Sequence, residues 1–172
     1  KNWRLTFFPD TLFEWKSSIR LFNYKLISLW LLGAITAIYV YAYFIFVFLF
    51  ITIISSTFKP TEGKELRPYD VHELISKVKQ NNFMLILCLI PHVIIFLALN
   101  ISYWYIILGI ALYLILYQTY CIFYKYGTYT QYTDSSNQVA TAIFMILCPI
   151  IPISIPIIIF SFFKARNRIQ NA

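Results

Sequence analysis

Three long stretches without a single Asp, Glu, Lys or Arg decide what this chain can become: Leu26–Phe58, Gln80–Tyr124 and Ser135–Phe163. About 20 apolar residues in a helix cross the ~30 Å hydrocarbon core of a bilayer, and each of these runs is longer. Of the 172 residues, 60% are hydrophobic and 12% are charged, and the charges are confined to the segments between the runs. The expected class is therefore an all-α integral membrane protein. We expect a bundle of about four transmembrane helices, an N-terminal interfacial amphipathic helix, and a short amphipathic helix leading into the second span.

The chain reads as a single membrane domain, 1–172. In the basic N-terminal segment, 1–25, Thr11 and Glu14 are spaced as a capping box, and Leu12, Trp15, Ile19 and Phe22 share one face. This predicts a helix at the membrane interface, with Trp15 at head-group level and Lys16 and Arg20 beside it, or a helix packed on a partner. The segment holds five basic groups and no long apolar core, so no cleavable signal peptide is expected in it.

The first span is placed at 26–58 as one long helix that tilts or projects beyond the bilayer, and Gly33 and Ala37 form a small-residue pair suited to close helix contact. Residues 59–82 read as a polar loop and amphipathic helix. There Pro60, Gly63 and Pro68 mark the loop, Asp70 and Glu73 make a second capping box, and Tyr69 and Leu74 a hydrophobic staple.

The 45-residue run Gln80–Tyr124 needs a turn, and Asn100-Ile101-Ser102 supplies one. Spans at 83–99 and 103–124 follow, with Tyr103, Trp104 and Tyr105 as an interfacial aromatic belt. A polar loop at 125–138, a fourth span at 139–163 and a basic tail at 164–172 complete the chain.

Fourteen Lys and Arg against seven Asp and Glu give a net charge of +7. Such residues flank spans, set orientation and meet anionic head groups; no basic helix is left over for nucleic acid. Counting them with four spans puts both termini in the cytoplasm, with eight basic residues inside and six outside, and sets Lys125 on the side opposite the tail. A bacterial inner membrane is the expected location, with an organellar membrane as the alternative.

Catalysis finds no support. All seven acidic residues lie outside the spans, and no P-loop, GxSxG or HExxH occurs. His72 and His92 with Cys88, Cys121 and Cys148 do not make a ligand set, so neither metal nor other cofactor is expected. The cysteines, all in apolar runs, read as buried thiols.

His92 stands near the middle of a span, directly after Pro91. It is either a neutral histidine bonding between helices or a sensor or pore-lining group. Tyr113, Tyr117, Tyr120 and Tyr124 share one helix face and predict interhelical or intersubunit packing, with an aromatic ligand groove as the alternative. Pro149, Pro152 and Pro156, at i, i+3 and i+7, fall along one stripe and predict a curved helix facing the bundle interior, as a structural kink or as a gate. Lys164, Arg166 and Arg168 join Trp15, Lys16 and Arg20 as candidate contacts for lipid or a partner.

These features predict a non-enzymatic multi-pass subunit that forms a homo-oligomer or larger membrane complex and anchors, senses or assembles with a partner, including a soluble cytoplasmic one. One alternative is a small ion channel or transporter subunit with its path near His92 and the proline stripe. The general build, small, basic, of about four helices and without a catalytic group, resembles that of bacterial membrane proteins that confer toxin immunity or take part in phage defence. That likeness of build is the second alternative; no motif carries it.

Overall fold

The computed structural model describes residues 15, 24–43, 47, 70–127, 143–144 and 151–171. These described residues are 94% helical, with no strand among them. Four helices can be followed from end to end: α1 (Tyr24–Thr36), α2 (Val71–Leu99), α3 (Trp104–Gly127) and α4 (Ile151–Gln170). Two segments, Val71–Leu99 and Ile101–Gly127, are long and apolar enough to cross a membrane.

The first apolar run does not form the single long helix expected over 26–58. α1 closes at Thr36, and helical backbone resumes at Val40. Beyond the helix, the amides of Ile38 and Tyr39 reach back three residues, to Ile35 O (3.2 Å) and Thr36 O (3.0 Å), the tightened pattern of a helix end. β-Branched Ile35, Thr36 and Ile38 weaken the helix here, and the Thr36 hydroxyl donates to Gly33 O at 3.0 Å. The carbonyls of Ala37 and Ile38 are taken up by the Asn100 side-chain amide, at 3.4 and 3.1 Å.

α2 starts where its capping box places it. Asp70 Oδ1 accepts the Glu73 amide at 2.6 Å, and Leu74 N donates to Asp70 O at 3.2 Å. The amphipathic helix and the second span are one uninterrupted helix of 29 residues, about 43 Å long. Its buried positions, Leu74, Lys77, Asn81, Leu85, Leu89, His92 and Phe96, advance by three or four residues and make one stripe.

The turn falls at Asn100 as expected. Asn100 leaves helical geometry at φ −135° and ψ 44°, Tyr103 N donates to Asn100 O at 2.9 Å, and a short 3-10 turn at Ile101–Tyr103 leads into α3. Tyr103, Trp104 and Tyr105 are all exposed.

The chain divides into two units: Lys1–Thr57 with Phe83–Leu112, and Phe58–Asn82 with Tyr113–Ala172. In the first unit, the end of α1 meets the second half of α2 through Trp30, Ala37, His92 and Asn100.

In the second unit, the starting turns of α2 run antiparallel to the final turns of α3: Asn82 Nδ2 donates to Thr119 Oγ1 at 2.9 Å, and Lys77 Nζ donates to the Tyr126 hydroxyl. α4 runs parallel to α3, with Phe162 edge-on to Phe123 (5.2 Å between ring centres) and Ala165 beside Gly127. A β-carbon on Gly127 would stand 3.2 Å from the Ala165 backbone nitrogen, so glycine permits this approach. The buried face of α4 is correspondingly small: Ser154, Ser161 and Ala165.

Phe144 stacks on Tyr120 with ring centres 3.7 Å apart, while Phe162 meets Phe123, less than one turn further along α3. Of the expected fourth span, 139–163, residues 139–142 and 145–150 lie outside the described residues, and the part from Ile151 onward is α4. The segment expected as a basic tail is helical as far as Gln170, because α4 continues through Lys164 and Arg168. It does not lie opposite Lys125: Arg168 donates to Gly127 O at 3.3 Å, which puts both at the same end of α3.

Candidate functional site

In the first unit the polar groups fasten helices to each other. The His92 ring is 1% exposed, and its Nε2 lies 3.0 Å from the Trp30 carbonyl. A carbonyl only accepts, so Nε2 carries the proton and donates. In return, Trp30 Nε1 donates to the Cys88 carbonyl at 2.9 Å. The two rings stand 5.4 Å apart, and Tyr43 closes the cluster edge-on to His92 at 6.1 Å and 5.8 Å from Phe96. Pro91, half-buried next to His92, has no amide to give the Leu87 carbonyl. Gly33 and Ala37 are both buried in this same unit, where Gly33 O accepts the Ala37 amide at 2.9 Å. A groove lined by Ile86, Leu89, Ile90, Val93, Ile94 and Ala111 carries no polar group and offers no chemistry.

The tyrosine face of α3 packs within the second unit. Tyr113 stacks on Tyr117, Tyr120 on Tyr124, and Phe144 lies against both Tyr117 and Tyr120. Pro152 occupies the first turn of α4, where a missing amide costs little, and Pro156 lies inside the helix on its exposed side. Ser154, not the proline, points inward. Pro149, Lys16 and Arg20 lie outside the described residues. Trp15 is helical and only 9% exposed, so its ring is covered by the chain and is not open to lipid. Lys164 and Arg166 are exposed and Arg168 is half-buried.

A second polar cluster was not anticipated. Lys77 and Lys125 are 8% and 2% exposed, and their ammonium groups stand 4.9 and 5.7 Å from the centre of one ring, that of Tyr126. One turn along α2, Asn81 donates to Lys77 O at 2.8 Å. Gln118, wholly buried, has neither its carboxamide oxygen nor its nitrogen bonded, and the side-chain oxygens of Gln80, Asn81 and Asn82 share that condition. The available signal was positional: Lys77 and Asn81 interrupt an otherwise apolar stripe between Leu74 and Leu85.

Among the described residues no three His, Cys, Asp or Glu side chains gather as a metal site would require. Comparison with protein-family models, with curated proteins and with solved structures finds no match.

Proposed function

We propose that the chain is a non-enzymatic, multi-pass membrane subunit that couples a charged surface element to its spans and works in an assembly with further copies or a partner. The observation that carries this reading is α2. Its capped first turns hold His72, Glu73 and Lys79, and the same unbroken helix continues as the apolar span. A partner bound to the surface turns would thus bind the same helix that forms the span. His92 supports the reading as well, since its imidazole is spent on joining α1 to α2 and is enclosed by Trp30 and Tyr43. The positive-inside tendency favours placing the Lys77, Lys125 and Arg168 end in the cytoplasm.

The test is a photo-crosslinking amino acid at His72 or Lys79, both exposed, in living cells. The expected result is one recurrent crosslinked species of fixed composition. Capture of lipid alone at both positions would sink the proposal.

A small channel remains the second reading, moved from His92 to the second unit, because the unbonded Asn81 side-chain oxygen and the unbonded Gln118 carboxamide suit internal water. It predicts cation or proton flux in liposomes that Gln118→Leu abolishes; no flux from the native chain removes it.

A further inference from the structure

The contacts of the first unit reverse the chain at residues 37–39. α1 runs parallel to the second half of α2, because Trp30 meets Cys88 and His92 while Ala37 and Ile38 meet Asn100. Six further residues in the same direction would carry Tyr43 about 9 Å beyond Asn100. The Tyr43 ring instead lies 5.8 Å from that of Phe96 and 6.1 Å from that of His92, about one and two turns back along α2. Helical backbone resumes at Val40, where Tyr43 N donates to Tyr39 O at 3.0 Å, and Tyr43 and Val47, one turn apart, are both buried. Asn100 holds the turn, its side-chain amide donating to Ala37 O and Ile38 O.

Beyond Tyr43, residues 44–46 and 48–58 lie outside the described residues, and composition carries the argument on. α2 begins at Val71, about 43 Å from Asn100 along one helix, so the chain has to lead back past that length before it reaches Asp70. The 19 residues 40–58 hold no charge and at helical rise cover about 29 Å, the thickness of a hydrocarbon core; Lys59 is the first charge after them. A run that crossed only once would leave the six charges from Lys59 to Asp70 on the Asn100 face, and they would have to pass back through lipid.

We infer that the apolar run 26–58 does not cross the membrane: it turns at Tyr39 on the Asn100 face and leaves on the face it entered, the one where α2 starts. α3 ends at that same face, since Lys77 meets Tyr126, and so does α4, since Arg168 meets Gly127. All 14 Lys and Arg, and all seven Asp and Glu, then share one face, where four spans divide the basic residues eight to six. The positive-inside tendency makes that face cytoplasmic. The opposite face presents exposed Tyr39, Tyr41, Ile101, Tyr103 and Trp104, an aromatic interface without a charge. A partner that recognises charge has only the cytoplasmic face to bind. The inference rests on the membrane placement of α2 and α3 and not on the partner proposed above.

The test uses the full chain in a bacterial inner membrane, with Cys88, Cys121 and Cys148 changed to alanine and one cysteine returned at a time: Asn2→Cys, His72→Cys, Tyr39→Cys or Ile101→Cys. His72, Tyr39 and Ile101 are exposed, so these changes spare the packing. A maleimide that does not cross membranes is applied to intact and to permeabilised spheroplasts. Asn2→Cys and His72→Cys are expected to react only after permeabilisation, and Tyr39→Cys and Ile101→Cys in intact spheroplasts. An epitope tag before Lys1, read by antibody on the same preparations, should agree with Asn2→Cys. Asn2→Cys and His72→Cys on opposite sides, the result of a single crossing over 26–58, overturns the inference. Tyr39→Cys reacting on the side of Asn2→Cys overturns it as well. Both ends of the run on the outer side would overturn the cytoplasmic assignment. A chain recovered in the soluble fraction would instead refute the membrane placement itself.

Discussion

Two side-chain-to-backbone hydrogen bonds cross between α1 and α2: Trp30 Nε1 donates to the Cys88 carbonyl, and His92 Nε2 to the Trp30 carbonyl. Trp30→Phe keeps an aromatic ring and loses only the donor to Cys88, so it should cost about 1–2 kcal/mol in a denaturant titration in detergent. Because the two residues also touch ring to ring, the double variant with His92→Phe should depart from additivity by about 0.5 kcal/mol or more. Strict additivity would contradict the coupling. Gln118 presents the opposite case, a carboxamide buried without a bond. Gln118→Leu should leave stability unchanged or raise it by about 1–3 kcal/mol, while Asn82→Leu, which breaks a 2.9 Å bond to Thr119, should lower it by about 1 kcal/mol. Much of this was legible in sequence for His92, where one histidine in an apolar run had to find a partner. That its partner is the Trp30 carbonyl was not, because nothing in the spacing relates residues 62 apart.

Helices show the same division between local and distant information. The start of α2 at Asp70 and the break at Asn100 were readable because capping boxes and polar interruptions act within a few residues. The end of α1 was not readable. Thr36 competes for the Gly33 carbonyl locally, but the break is completed by Asn100, which arrives from the far end of α2. Of the proline stripe only the Pro156 side chain is described, and it lies on the exposed side of α4. Spacing shows that Pro152 and Pro156 share a side, and only packing shows that α4 turns Ser154, Ser161 and Ala165 inward. Two glycines on α3 test the packing of this element. At Gly127 an alanine would press on the Ala165 backbone, which cannot yield as a side chain can, and should cost about 1–3 kcal/mol. At Gly109 the added methyl meets open space, so alanine should be neutral or stabilising by up to about 1 kcal/mol. Measuring both by the same titration separates helix propensity from helix contact.

For the whole chain, an abundance of apolar residues points to lipid as the solvent, and two segments have the length to use it. What the polar residues then do gives the functional reading its direction. They tie α1 to α2 in one unit, draw cations around Tyr126 in the other, and leave a charged, capped turn on the surface at the start of α2. None of these arrangements positions a nucleophile, and none collects metal ligands among the described residues. The function proposed for the chain is to act through what it holds. The measurement that bears most directly on that claim is the mass of the full chain extracted from native membranes together with its surrounding lipid, without detergent exchange. The account predicts a fixed mass above that of one chain, made of several copies or of the chain with a partner in constant ratio. A population of single chains at every expression level would contradict it.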